Sequence, residues 1–274
     1  MNTTERAMLD MLKKGRNEYG VVAVKAEFEA EGTRPDELLR LLELAHRADL
    51  GVALKIGGCE AVSDLLAARL YGADYIIAPM VETPYALSKF VDARAKTWGD
   101  DAANARFLFN LETATTLGNL DEMIPIARRN LDGVVFGRVD FTLSKGLSRK
   151  DINSRQISDA VLMAAQACRD NDLELVVGGG VSADAIEALR EFRKIRLDRF
   201  ETRKVVFDGA AVESARFAEG LANAVRFELA WLENKRDYYG AIADEDLTRI
   251  RMIRERSGAL LDEGATAPVK SLAA

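Results

Sequence analysis

Hydrophobic residues along this chain fall into two alternating kinds of run. Short runs rich in β-branched and aromatic residues, at 21–29, 52–58 with a closing turn, 75–81, 106–112, 133–139 and 174–180, have the length and content of buried parallel strands. Between them, apolar residues recur at helical spacing over 35–48, 61–70, 84–97, 121–130, 155–171 and 183–192. Pro35 stands where a first helical turn accepts it. The segment RFETRKVVFD at 199–208 reads as one more strand, with a helix over 212–232 after it. A lead-in helix covers 4–14, with Thr3 or Thr4 as its cap and Gly15 interrupting its pattern.

Seven strands, each followed by a helix, predict a parallel sheet, and that many units favour closure as a TIM-type (β/α)8 barrel over an open sheet. An eighth strand is not evident, since 16–20 does not read as one, so an incomplete or irregular barrel is also open. Beyond 232 the helical pattern continues to 242 and again over 244–260, before a tail rich in Ala, Gly and Ser. Residues 1–232 are therefore expected to form the barrel domain and 233–274 a helical extension of two extra C-terminal helices. Trp231, Tyr238, Tyr239, Ile250 and Ile253 could join subunits of a homo-oligomer there, or fold back on their own barrel.

Composition works mainly by exclusion. The 274 residues, 48% hydrophobic, suffice for one large core, and a net charge of -6 with no basic stripe argues against nucleic acid or an anionic membrane as partner. No stretch approaches a membrane span, and the polar start has no signal core. Cys59 and Cys168 are too few for a disulfide framework or zinc site and read as core thiols of a reducing compartment, so a cytoplasmic protein with a small ligand is expected.

The chemistry concentrates at the C-terminal ends of the strands, where parallel α/β folds build active sites. Glu112 closes the run at 106–112 and Asp140 follows the run at 133–139, and two such acids with no softer group beside them suit a hard cation, Mg²⁺ or Mn²⁺. Each acid could instead cap a helix or pair with a surface base. Lys25, Glu27 and Glu29 share one face at strand spacing. Lys55 ends its strand as a cation, as a Schiff-base nucleophile, or in a structural ion pair with Glu27 or Glu82. The run Gly178, Gly179, Gly180 before a helix start is either an anion cradle or a tight turn. Arg203 and Lys204 would lie lower on the last strand. His46, the one histidine, reads as a packed or surface residue.

The order of KIGG, GADYIIAPMVET, NLET and GVVFGRVDFTLSKG resembles the HpcH/HpaI aldolase and citrate lyase β-subunit family of the phosphoenolpyruvate/pyruvate barrel superfamily, over about 21–208. The resemblance implies that Glu112, in Asn110-Leu111-Glu112-Thr113, and Asp140, in Gly137-Arg138-Val139-Asp140, match the family's two metal-binding carboxylates. It further implies an α-keto acid bound against the metal, with backbone amides of Arg138, Val139 and Asp140 meeting its carboxylate, and a cavity lined by Ala78, Pro79 and Met80. Two positions depart. The family's strand-end arginine, which contacts the keto oxygen, is Lys55 here, keeping the charge but losing the bidentate fork. The family's Glu-His pair is replaced by Ala26-Glu27-Phe28-Glu29, without the histidine.

These readings converge on a divalent-metal-dependent carbon–carbon lyase of the aldolase type, acting on an α-keto acid enolate with a polar or phosphorylated aldehyde, or an acyl group, as the second partner. Lys55 and Glu27 would be catalytic, Glu112 and Asp140 metal ligands, and Gly57, Pro79, Arg138, Val139, Gly179 and Gly180 substrate-binding. A citrate-lyase-like acyl-thioester lyase or hydrolase, a phosphoenolpyruvate-using enzyme, and a non-catalytic binding barrel are the alternatives.

Overall fold

The eighth strand hidden from the periodicity lies inside the seventh run. The computed structural model describes residues 1–261, with side chains through 257. Its parallel strands are β1 (Val21–Glu27), β2 (Gly51–Lys55), β3 (Tyr75–Ala78), β4 (Arg106–Leu111), β5 (Gly133–Gly137), β6 (Glu174–Gly178) and β7 (Arg199–Glu201). After only three residues β7 turns back into β8 (Val205–Asp208), which pairs antiparallel with both β7 and β1 and closes the barrel. The polar Thr202-Arg203-Lys204 makes the turn, closed by a bond from the Thr202 amide to the Val205 carbonyl at 2.9 Å. This corrects the single strand expected over 199–208. Arg203 and Lys204 stand at the C-terminal rim, not lower in the barrel.

The helices are α1 (Thr3–Tyr19), α2 (Pro35–Arg47), α3 (Val62–Tyr71), α4 (Pro84–Trp98), α5 (Ala114–Gly118), α6 (Leu120–Asn130), α7 (Arg138–Ser144), α8 (Arg155–Asp170), α9 (Ile186–Arg193) and α10 (Phe217–Leu261). Asn2, rather than either threonine, caps α1 in a capping box with Glu5. The two expected C-terminal helices are one, since α10 runs unbroken past Ala243, and the expected Ala-, Gly- and Ser-rich tail lies outside the described residues. The chain divides into two compact units, Met1–Ala230 and Trp231–Ala274. The second exposes Leu232, Tyr238, Ile242, Leu247, Ile250, Met252 and Ile253. Among the described residues no helix is long and apolar enough to cross a membrane.

Alternation with period two stacks the barrel interior in layers. Ala23, Ala53, Ile77, Leu108, Val135, Val176 and Val206 form an apolar layer. Two residues further toward the mouth, the same inward face presents Lys25, Lys55, Pro79, Asn110, Gly137, Gly178 and, on the reversed strand, Lys204. A dry floor thus lies under a polar layer.

The opposite end of the barrel is tied by a repeated device. Asp74, Asp132 and Asp198 each precede a strand and accept the backbone N–H near the start of the strand before it, from Val52 at 2.7 Å, Phe107 at 2.7 Å and Leu175 at 2.8 Å. Asp132→Ala would leave the Phe107 amide without its acceptor and should lower unfolding stability by about 1–3 kcal/mol. Chemical denaturation should read this as a lower midpoint with an unchanged slope.

Candidate active site

Glu112 follows β4 directly and is 2% exposed. Its Oε1 accepts the Met80 amide at 2.8 Å, and its Oε2 accepts Asn110 Nδ2 at 2.7 Å and Lys55 Nζ at 3.4 Å. Met80 reaches it because its backbone is left-handed, with φ 51°, which turns the amide inward after β3. Nothing in the sequence marked Met80 for that conformation. Gly137 leaves room for the carboxylate: a Cβ there would meet Glu112 Cβ at 2.9 Å and Oε2 at 3.1 Å.

Lys55, at the end of β2, also holds Glu29 at 3.1 Å, so its ion pairs are with Glu29 and Glu112 rather than with Glu27 or Glu82. Glu82 instead accepts the Thr113 hydroxyl at 2.7 Å. Burial works against the charge on Lys55, but Glu112 and Glu29 outweigh it and raise its pKa above the ordinary lysine value. A raised pKa keeps the amine protonated, which favours the cation over the Schiff-base nucleophile.

A second buried cation lies beside it. Lys25 Nζ contacts Glu27 Oε1 at 3.0 Å and is hydrogen-bonded to Glu201 Oε1 from β7. Burial alone would depress Lys25, yet the two carboxylates raise it far above its ordinary value. Burial would likewise lift Glu27, but Lys25 brings it below the usual carboxylate range. Glu201 escaped sequence reasoning because an unbroken strand over 199–208 buries it below the mouth. The polar break at 202–204 was the available signal.

The other expected site residues are placed unevenly. Asp140 is not at a strand end: β5 stops at Gly137, and Asp140 is exposed in the first turn of α7, without a hydrogen bond or ion pair among the described residues. The Gly57 amide is committed to Asp64 Oδ2 at 2.7 Å. Pro79 is buried after β3. Gly179 and Gly180 are both left-handed, and a Cβ on Gly179 would come within 2.7 Å of the Val139 amide nitrogen and 3.0 Å of that of Arg138. The side chain of Arg138 is 1% exposed and binds Asn153 Oδ1 at 3.0 Å and the carbonyls of Gly179 and Gly180 at 2.9 and 3.2 Å. Burial without an ion-pair partner brings its pKa down to about 10. Away from the mouth, His46 is exposed on α2. Cys168 is a core thiol pushed up to about 12 by burial, whereas Cys59 is only half-buried.

Among the described residues no three His, Cys, Asp or Glu side chains are grouped to hold a metal. Glu112 and Asp140 alone would serve an ion that keeps several waters. They fit it chemically: both offer hard oxygens, Asp140 is unengaged, and Glu112 Oε1 has accepted only one donor of the two its lone pairs allow.

Lys25→Met would leave Glu27 and Glu201 buried without their cation. Removing one partner of such a group should cost about 3–5 kcal/mol at neutral pH. The sign follows from the carboxylates: in the native protein Glu27 is depressed, so its contribution is present above its unfolded pKa and lost as pH falls. In the variant only Lys55 and Arg203 still favour the charged form against burial, and protonation relieves the penalty. The gap in stability between native and variant should therefore narrow from pH 7 toward pH 4, measured by thermal unfolding.

Comparison with solved structures finds an HpcH/HpaI aldolase from Desulfitobacterium hafniense DCB-2, with TM-score 0.58 and 13% identity over 79% of this chain and 88% of that one. An HpcH/HpaI aldolase/citrate lyase family protein from Burkholderia cenocepacia J2315 gives TM-score 0.58 and 14% identity over 90% of each chain. At such identities the likeness establishes the barrel fold. Comparison with curated proteins finds no match. A model of the HpcH/HpaI aldolase/citrate lyase family matches residues 46–209, which take in Lys55, Pro79, Glu112, Asp140 and the glycine run. The chain belongs to the HpcH/HpaI aldolase/citrate lyase family.

Proposed function

We propose that this protein is a divalent-metal-dependent carbon–carbon lyase of the aldolase type, acting on an α-keto acid through its enolate. Family membership implies aldolase- or lyase-type activity. The observation that carries the finer reading is the buried Glu112 carboxylate held beside the Lys55 ammonium at the C-terminal mouth, a carboxylate ligand and a fixed cation on neighbouring sites. Glu112 and Asp140 hold a divalent ion, Mg²⁺ or Mn²⁺, which when bound supplies a Lewis acid to the keto oxygen.

The chain's own groups do the rest. Lys55 places positive charge where the enolate develops negative charge, in a mouth screened from water, where a fixed charge counts for more than in bulk. The amides of Arg138 and Val139 meet the substrate carboxylate, with Gly179 keeping side-chain bulk away from them. The Arg138 guanidinium fixes the Gly179 and Gly180 carbonyls, so the turn keeps its shape. The second partner is a polar or phosphorylated aldehyde or an acyl group. A homo-oligomer belongs to the same proposal, supported by the exposed apolar side chains of residues 232–253 on α10.

Proton exchange of pyruvate in deuterium oxide tests the reading. The native protein should exchange the methyl protons only with Mg²⁺ or Mn²⁺ added, and Lys55→Ala should slow exchange by about 10²–10³-fold, as loss of one transition-state charge stabiliser does. Glu112→Gln should weaken Mn²⁺ binding by more than the roughly 10–100-fold that loss of an outer-shell partner causes. Metal-independent exchange, or none, would sink the proposal.

A further inference from the structure

The later part of α10 carries charges that the helix itself does not use. Residues 244–246 read Asp-Glu-Asp, while 249, 251, 254 and 256 are all arginine, with Glu255 the one acid among them. All are exposed, and among the described residues none of these side chains has an ion pair or a hydrogen bond. Glu245 and Arg249 stand four apart in the order that favours pairing along a helix, yet they do not pair. The macrodipole does not account for the segregation, because it acts within the end turns and 244–246 lie well inside α10. One of the acids also stands in an apolar row. Ile242, Asp246, Ile250 and Ile253 recur every three or four residues and so share a face, on which the three isoleucines are exposed. Arg249 borders that face. Covering the row would bury Asp246, and a buried carboxylate requires a cation from whatever covers it.

We propose that this face of α10 docks a second copy of the chain, the two helices running antiparallel about a two-fold axis near Thr248, with Asp246 of each copy against Arg249 of the other. The inference rests on the homo-oligomer included above, not on the aldolase chemistry. Charge complementarity selects both the occupant and the direction. An antiparallel pair lays the acidic block of each helix along the arginine block of the other, and the two-fold axis makes every such contact twice. A parallel pair in register would set Asp246 on Asp246 and arginine on arginine. In the antiparallel register Ala243 of one copy meets Ile253 of the other, so the apolar row is covered at both ends. A single polar residue in an apolar seam commonly fixes partner orientation, and Asp246 has that role here.

Charge exchange, read by sedimentation equilibrium, tests the contact. The native protein should self-associate, more weakly as salt is added. Asp246→Arg alone and Arg249→Asp alone should each weaken association by about 10–10²-fold, through the loss of two ion pairs and the like charges left facing each other. An equimolar mixture of the two variants should associate as the native protein does, since both contacts in the mixed dimer again join opposite charges; that recovery also shows both variants folded. Direction is read by disulfide formation in a Cys59→Ala background. Ala243→Cys alone and Ile253→Cys alone should give no linked dimer, each lying about 15 Å from its own counterpart across the axis, whereas a mixture of the two should link. Self-linking of either single variant, or charge variants that associate as tightly as the native protein, overturns the pairing and leaves the homo-oligomer standing. A native protein that stays monomeric at micromolar concentration overturns both and leaves the aldolase reading untouched.

Discussion

Placing charge inside a barrel is the constraint on which the rest of this structure depends. Lys25 and Lys55 project into the interior two residues above a layer that is apolar on seven of the eight strands, and an isolated ammonium there would be driven toward neutrality by desolvation. Both are instead raised, because each touches two carboxylates: Lys25 has Glu27 and Glu201, and Lys55 has Glu29 and Glu112. These acids come from β1, from the segment following it, from the end of β4 and from β7. The charge arrangement therefore exists only once distant parts of the chain have closed, and the apolar floor keeps water from relaxing it from below.

Closure itself explains why the arrangement takes this form. A regular eighth βα unit would bring a parallel strand to the seam between β7 and β1. Here a three-residue β7 turns at Thr202 and returns as β8, and the Lys25 amide donates to the Lys204 carbonyl at 2.9 Å. The hairpin puts Glu201, Arg203 and Lys204 together at the mouth, and Lys204 and Arg203 both engage Glu31. The glycines at the ends of β5 and β6 do complementary work. Gly137 and Gly178 each give the volume of a missing side chain to a carboxylate on a neighbouring strand, Glu112 in one case and Glu201 in the other.

Much of this was legible in the residues. Short continuous apolar runs such as VVAV and FLF, separated by stretches of 3.6-residue periodicity, carry the barrel because burial on both faces of a parallel strand and on one face of a helix leave different patterns. Glu112 and Lys55 were readable as mouth residues because they end well-formed strands. Asp140 was misplaced by three residues, since GVVFGRVD continues its apolar alternation past Gly137, and the turn into α7 is imposed by packing rather than by a helix-start residue. Gly57, expected to contact substrate, gives its amide to Asp64, seven residues on. The split of 199–208 is the largest miss: Val205, Val206 and Phe207 look the same in either strand direction, and only pairing with β1 decides between them.

The departures from the family pattern then read as one linked change. With lysine in place of arginine at position 55, a single ammonium cannot grip a carboxylate through two parallel bonds, and Lys55 divides its contact between Glu29 and Glu112. Lys55 thereby engages Glu29 Oε2 and Lys25 engages Glu27 Oε1, each acid keeping its second oxygen. Across the barrel Glu201 keeps one buried oxygen, Oε2, without a hydrogen-bond partner among the described residues. Glu112 with Lys55 on one side and Lys25 with Glu201 at the β1–β7 seam on the other are thus held by different strands, which lets one arrangement vary while the other is kept.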